Sequence, residues 1–431
     1  MRVLALSSPI YAHTLNAAPF LEGLAAHGAE VHWGVASTWA GHDGGATAGP
    51  APAATLWDTG PVVPFVPPGG RVRDVSARYA WLLEDTSTRV AATREILDQV
   101  RPDVVLTDSL GYAAALAAEQ RGLPWVSFGD GPLHFPDART PPFGAGLPYR
   151  TPAPWVWRNH VVQLASRRVV MREAQRRYAA LRAELGLPRR DVPVLEACLS
   201  PVLHLHCGAP ELEYPRADLP DHVHFVGALR PPVATDWQPP SWWSSVVEEH
   251  GGDVVLATQG TLRGDPGEVL RPTLEALRAA GRPGVLTTGS GDPGALGGPG
   301  LVGDGAGGAG IAVESFVPYE RVLPHAGVFV TNGGWTGVLL ALAHGVPVLQ
   351  VGRTEEKADI GRRVEWAGAG IHLGAALPSQ RQLRRALERV EGAAYRAGAR
   401  RIADSLATRD PGRDGAALVA RLLSGREPGS G

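Results

Sequence analysis

Three groups suited to ligand chemistry occur between Glu314 and Lys357: an aromatic turn Phe316-Val317-Pro318-Tyr319, a glycine corner Asn332-Gly333-Gly334, and a polar run Arg353-Thr354-Glu355-Glu356-Lys357. Each follows a short apolar run, namely Ile311 to Val313, Val328 to Thr331 and Val346 to Val351, which reads as a buried parallel strand. The three groups therefore emerge at strand carboxyl ends, where open α/β sheets bind ligands. After Asn332 to Gly334 the pattern turns helical, from Val338 to His344. At such a corner, unpaired backbone N–H groups and the positive end of the helix dipole favour an anion. Glycines let a diphosphate approach the backbone, and Thr336 adds a hydroxyl donor. The same letters also fit a tight turn that only joins strand to helix. Taken together, the groups fit a nucleoside diphosphate carrying a sugar: a base on Phe316, phosphates at the helix start, and hydroxyls at the polar run.

A second constellation lies near the amino terminus. Met1 to Ser7 has too short an apolar core for a secretory signal and reads as a first buried strand. A loop holding His13 follows, then a helix from about Ala17 to His27 with Gly28 as its stop. His13 is the expected general base, because an alcohol attacking an anomeric carbon must lose its proton and an imidazole titrates near neutrality. Read blandly, it is a surface-loop histidine, one of fourteen in the chain. Asp108, ending the strand Asp103 to Thr107, is the carboxylate expected to fix the imidazole tautomer, or else simply caps the following helix.

The segment from Glu314 to Lys357 resembles, without gaps, the donor-binding signature of the family 1 glycosyltransferases, inverting UDP- or dTDP-sugar enzymes of the GT-B fold. The resemblance implies that Phe316 stacks the base and the Val317 backbone reads its edge, with His325 in the loop before the phosphate strand. It places Asn332, Gly333, Gly334, Thr336 and Gly337 at the diphosphate, and Glu356 and Lys357 at the sugar. His13, Pro19 and Gly28 match the family's histidine pattern in register, with Leu15-Asn16 where Asn-Pro is usual. Asn332 stands where histidine is usual, Leu340 where plant members carry a ribose-binding glutamate, and Lys357 where glutamine is usual. UDP and dTDP both remain open. The resemblance implies no metal and no cofactor beyond the nucleotide sugar as co-substrate.

Other features look chemical. Gly303 to Gly308 fits G-x-G-x-x-G, yet no strand is expected to feed it and no helix follows, so it reads as a surface loop. His204, His206 and Cys207, near His222 and His224, hint at zinc, but His204 and His206 alternate with apolar residues as sheet-face side chains do.

These sites need an α/β frame of two Rossmann-like domains facing across a cleft. The 431 residues, 44% of them apolar, suffice for two cores. Residues 1–229 are expected as the acceptor domain, 230–240 as a proline-rich linker, 241–410 as the donor domain, and 411–431 as a returning helix plus tail. A strand from Asp253 to Thr258 opens the donor domain and delivers a second glycine corner, Gly260-Thr261. Thr140 to Trp155 is rich in proline and glycine, as a flap over the acceptor would be, and a charged helix is expected from Trp157 to Leu185. Trp81, Phe128, His134, Phe135, Phe143 and Trp155 suit a flat apolar aglycone, a polyketide or phenolic, though each also fits core or surface packing.

A net charge of −2 gives no footprint for nucleic acid or a stable membrane association, and two cysteines fit a reducing cytoplasm. The function expected is hexose transfer to a hydroxyl of an apolar natural product, as in antibiotic biosynthesis. The alternatives are a GT-B sugar-nucleotide epimerase or hydrolase, and a silent homologue serving as a partner protein.

Overall fold

The computed structural model describes residues 1–37, 54–63, 71–135, 137, 139–216, 218–230, 237–260, 266–304, 310–352, 356–374 and 378–425. Aliphatic runs make most of the strands, and the inner ones are buried on both faces because helices cover each sheet, while the edge strands expose Leu56 and Leu301. In the first half these are β1 (Arg2–Leu6), β2 (Glu30–Val35), β3 (Thr55–Asp58), β4 (Val104–Asp108), β5 (Trp125–Gly129), β6 (His204–Cys207) and β7 (Val223–Gly227). They form one seven-stranded parallel sheet in the order β3-β2-β1-β4-β5-β6-β7. The second half contributes β8 (Val254–Thr258), β9 (Gly284–Thr287), β10 (Gly300–Asp304), β11 (Gly310–Glu314), β12 (Ala326–Thr331), β13 (Val348–Gln350) and β14 (Gly370–His372). Their order is β10-β11-β9-β8-β12-β13-β14, parallel except for the antiparallel edge strand β10.

Each order reverses once, between β1 and β4 in the first sheet and between β8 and β12 in the second. Crevices open at such reversals, outside the carboxyl ends of the strands. His13 follows β1 and Asp108 ends β4, while the Gly260 and Asn332 corners follow β8 and β12. Topology alone thus puts each constellation at a switch point.

Several local expectations need correction. Helix Tyr11–Ala26 begins before His13, so His13 sits in its first turn and not in a loop. β10 does feed the glycine run at Gly303, as an edge strand held by β11; residues 305–309 lie outside the described residues, and no helix follows. The expected helix Trp157 to Leu185 is two, Ala153–Ala165 and Arg172–Glu184, joined through a wider turn at Ser166–Val170. Most of the proline-rich stretch, residues 231–236, is outside the described residues. No described helix is long and apolar enough to cross a membrane.

The final helix, Pro411–Ser424, returns to pack on helix Tyr11–Ala26. Two glycines allow this, because a Cβ on Gly23 would collide with the Gly412 carbonyl.

Further contacts tie the halves together. Trp335 Nε1 donates to the Cys207 carbonyl at 2.8 Å, and Arg363 Nε lies 2.7 Å from Glu213 Oε2. Gly144 N and Gly146 N both donate to the Asp359 carboxylate. Burial alone would raise the Glu213 carboxyl; Arg363, with His206 and Arg216, overcomes it and holds the acid well below its ordinary range. Arg363→Met takes away the main partner of that buried charge, and is expected to cost about 3–5 kcal/mol in urea unfolding. Adding Glu213→Leu should recover most of the loss; a second variant no better than the first would show that the pair is not the source.

Candidate active site at the carboxyl ends of the two sheets

His13 is gripped from one side by two acids. Its Nδ1 lies 3.2 Å from Asp108 Oδ1 and 3.0 Å from Asp130 Oδ2. Asp108 is fixed in turn, accepting from Ser8 N at 2.7 Å and Leu110 N at 2.9 Å. It does not cap the following helix, Tyr112–Gln120, whose N-cap is Gly111. Asp130 accepts from Asn16 Nδ2 at 3.0 Å, and Asn16 Oδ1 accepts from Thr336 Oγ1 of the opposite half at 3.3 Å. A chain of side chains therefore runs from the Asn332 corner to His13. With Nδ1 committed to carboxylates, Nε2 is the nitrogen left for an acceptor hydroxyl.

These neighbours set the charge. Burial alone would push the imidazole down, but Asp130 and Asp108, with a smaller pull from Glu356, raise it to about 9. Burial works against Asp108 too, and His13 with the two N–H donors outweighs it, so that acid titrates low. Asp130 titrates high: burial and the like charge of Asp108 exceed the help of His13 and Asn16. Asp108 is the fixed anion of the trio.

Asp130 was not singled out from the sequence, although a signal exists. It follows β5 directly, one strand over from Asp108 at the end of β4, so both carboxylates occupy one sheet edge. Asn16 carries no comparable signal, since its partners come from elsewhere in the chain.

In the second half, the Asn332 corner leads into helix Trp335–Ala343, whose N-cap is Gly334. The first intrahelical bond is Val338 N to Gly334 O, so the N–H groups of Trp335, Thr336 and Gly337 precede it as first-turn donors. Asn332 Nδ2 donates to the Gln259 carbonyl, and Gly260 lies against the same side chain. Gly334 faces open space. Gly337 turns its Cα inward, where a Cβ would meet Phe329 at 3.3 Å, so only its N–H serves the cleft. Phe316 is 38% exposed after β11, available for stacking, above a buried Val317. Glu356 directly precedes helix Lys357–Trp366, without a side-chain capping bond, and lies 3.9 Å from Arg78 of helix Arg71–Val100 in the other half. Lys357 is buried, its carbonyl accepting from Gln350 Nε2. Thr261, Arg353, Thr354 and Glu355 lie outside the described residues.

His325 is not at this corner. It precedes β12, at the strand's amino end, roughly 20 Å of extended chain from Asn332. There it packs edge-on to Trp243.

Of the aromatic residues expected at the acceptor, His134 and Phe143 line the cavity beside His13, with Arg78, Tyr79 and Glu356. Their rings lie 3.7 Å apart, and burial, then Arg363, pushes the His134 imidazole down to about 3, so it is neutral near pH 7. The other four have structural reasons to be elsewhere. Phe128 is core, against Phe20 at 5.1 Å. Trp81 donates to the Val63 carbonyl, Phe135 packs on His204 and His222, and Trp155 is held by Arg150 and Arg158. His204 and His206 are buried sheet-face side chains, the first bonded to Ser127 Oγ at 2.8 Å, and no cluster able to hold a metal ion occurs among the described residues.

Known proteins resemble this chain in sequence and fold. Residues 308–418 match the erythromycin biosynthesis protein CIII-like C-terminal domain. The 4'-demethylrebeccamycin synthase of Lentzea aerocolonigenes is 35% identical over 346 residues, covering 79% of each chain. UDP-glycosyltransferase 2 of Phaeomoniella chlamydospora is 28% identical over 362 residues, covering 79% of this chain and 74% of that one. The solved structure of the kitacinnamycin glycotransferase superposes with a TM-score of 0.74 at 20% identity, covering 98% of this chain and 99% of the other. SsfS6 of Streptomyces sp. SF2575, solved with thymidine diphosphate, gives 0.65 at 18% identity, with coverage of 98% and 99%. Two doubly wound seven-stranded sheets, as in these solved structures, are the GT-B architecture. The chain belongs to the family 1 glycosyltransferases and is a glycosyltransferase.

Proposed function

We propose that the chain moves a hexose, with inversion, from UDP- or dTDP-hexose to a hydroxyl of a flat apolar natural product, with His13 as general base. The observation that carries this reading is the imidazole held by Asp108 and Asp130 in a cavity that also receives Glu356 from the donor half. In the proposed step the acceptor O–H gives its proton to His13 Nε2 as its oxygen bonds to the anomeric carbon. The bond from that carbon to the diphosphate breaks, and the electron pair leaves on the diphosphate. First-turn N–H groups at Trp335 to Gly337 and the helix dipole would stabilise that charge. Phe316 would stack the base, and Glu356 would hold sugar hydroxyls. Leu340 is buried and offers no ribose contact, so the nucleotide is not discriminated there.

On this reading residues 1–229 bind the acceptor and 241–410 the donor, and the nucleotide sugar is the only co-substrate needed. The naming of relatives for rebeccamycin and kitacinnamycin supports a natural-product acceptor, as do His134 and Phe143 beside His13. A donor panel tests it: UDP-glucose, dTDP-glucose and deoxy analogues, each with mixed phenolic and polyketide acceptors, read by mass spectrometry. The expected product is acceptor plus one hexose, with one nucleotide preferred. Release of nucleotide and sugar without any adduct would replace transfer by hydrolysis or epimerisation.

A further inference from the structure

Helix Ala153–Ala165 buries only Asn159 and leaves an apolar stripe uncovered. Trp157 is 70% exposed, Val161 41% and Leu164 42%, and Val169 continues the line at 73% in the turn Ser166–Val170. Spacings of four and three place the first three on one helical face. Contiguous apolar surface of this kind marks a contact site.

The surroundings of the stripe are cationic. Arg139, Arg150, Arg158, Arg167, Arg168 and Arg172 occur in this stretch, and no Asp or Glu lies between the first and the last of them. Among the described residues, Glu196 beside Arg167 at 3.0 Å is the one carboxylate paired with any of the six. The whole-chain charge of −2 averages this segment away.

We propose that this face docks on an anionic lipid surface, the stripe entering the headgroup boundary while the arginines meet lipid phosphates. A second copy is the poorer occupant, because a two-fold contact would set the arginines of one chain against those of the other. A ridge of three side chains on one helix and a fourth in the turn after it offers no groove for shape-matched protein contact, whereas a bilayer needs none. The ridge is also tied to the acceptor side. Asn159 Nδ2 donates to the Arg139 carbonyl at 2.9 Å and Arg158 Nη2 to the Pro148 carbonyl at 3.1 Å, and Phe143, between them in sequence, lines the cavity beside His13. Docking would therefore hold that cavity close to a bilayer from which an apolar acceptor could enter. This last consequence rests on the transferase reading; the docking itself does not.

Vesicle flotation of the full chain tests the docking without any turnover. Phosphatidylcholine vesicles containing phosphatidylglycerol should carry the protein upward at low salt, and phosphatidylcholine alone should carry far less. Trp157→Ser with Val169→Ser, and separately Arg168→Glu with Arg172→Glu, should each reduce the bound fraction about tenfold or more. High salt should release the wild type. All four positions are exposed, so circular dichroism should show both variants folded. Protein that stays below the anionic vesicles, or floats equally in all variants, overturns the proposal. So does a wild-type dimer that these substitutions convert to monomer, which would make the face a contact between copies.

Discussion

His13→Ala is expected to lower kcat for sugar transfer by roughly 10²–10⁴-fold while leaving nucleotide affinity, read by calorimetry, close to wild type. The side chain reaches the Asn332 corner only through Asp130, Asn16 and Thr336, so its loss removes none of the first-turn N–H groups offered to the diphosphate. A variant that loses nucleotide affinity and keeps its kcat would assign His13 to donor binding instead. The pH profile gives the same idea a second readout. In the free protein the imidazole titrates at about 9, so kcat/KM should rise about tenfold per pH unit below that value and level off above it. The limb belongs to the coupled set of His13, Asp108 and Asp130, not to one residue. Asp130→Asn removes one of the two carboxylates and should move the limb toward the ordinary imidazole value of 6.5. Stability runs the other way. Because the folded value lies above the unfolded one, the ion pairs stabilise the fold fully below pH 6.5, and that contribution is lost as pH rises through about 9. Activity should therefore climb over the same interval in which this part of the stability declines. A profile flat across that range would remove His13 as the base.

What the sequence revealed follows from how local each feature is. The strand ends at Asp108, Phe316 and Asn332 are set by short apolar runs, and the structure places all three at the carboxyl edges where the pattern put them. Asp130 was equally local but lacked a recognisable neighbour, so its partnership with His13 emerges only from the β1-β4-β5 adjacency. His325 does precede the phosphate strand, as its place in the motif implies, but that puts it at the amino end of a six-residue strand whose carboxyl end carries Asn332. Aromatic residues were the least legible. Phe128 and Phe143 look alike as letters, yet one sits on a strand face pointing into the core and the other on a loop beside the cavity. Ion pairs across the cleft, such as Glu213 with Arg363 at 150 residues' separation, leave no local pattern at all.

Gly333→Val should be the most damaging single change at the donor corner. Gly333 has φ of +103°, a left-handed conformation that a β-branched residue adopts only with strain, costing about 1–3 kcal/mol. A Cβ there would also collide with the Gln350 side-chain amide. That amide donates to the carbonyls of Gly352 and Lys357, so displacing it loosens the start of helix Lys357–Trp366. Overpacking adds about 1–3 kcal/mol, and the two together predict a clear loss of thermal stability along with nucleotide binding. Loss of binding in an unstable variant is ambiguous by itself, and Gly334→Ala resolves it. Gly334 has φ −67° and ψ 134°, which any residue can adopt, and a Cβ there meets nothing within 4 Å. Its melting temperature should match wild type, yet the added methyl would stand where a diphosphate must approach the N–H groups of the first turn. UDP or dTDP affinity should fall in this stable variant. Undiminished affinity in Gly334→Ala would mean that the corner joins strand to helix and holds no phosphate.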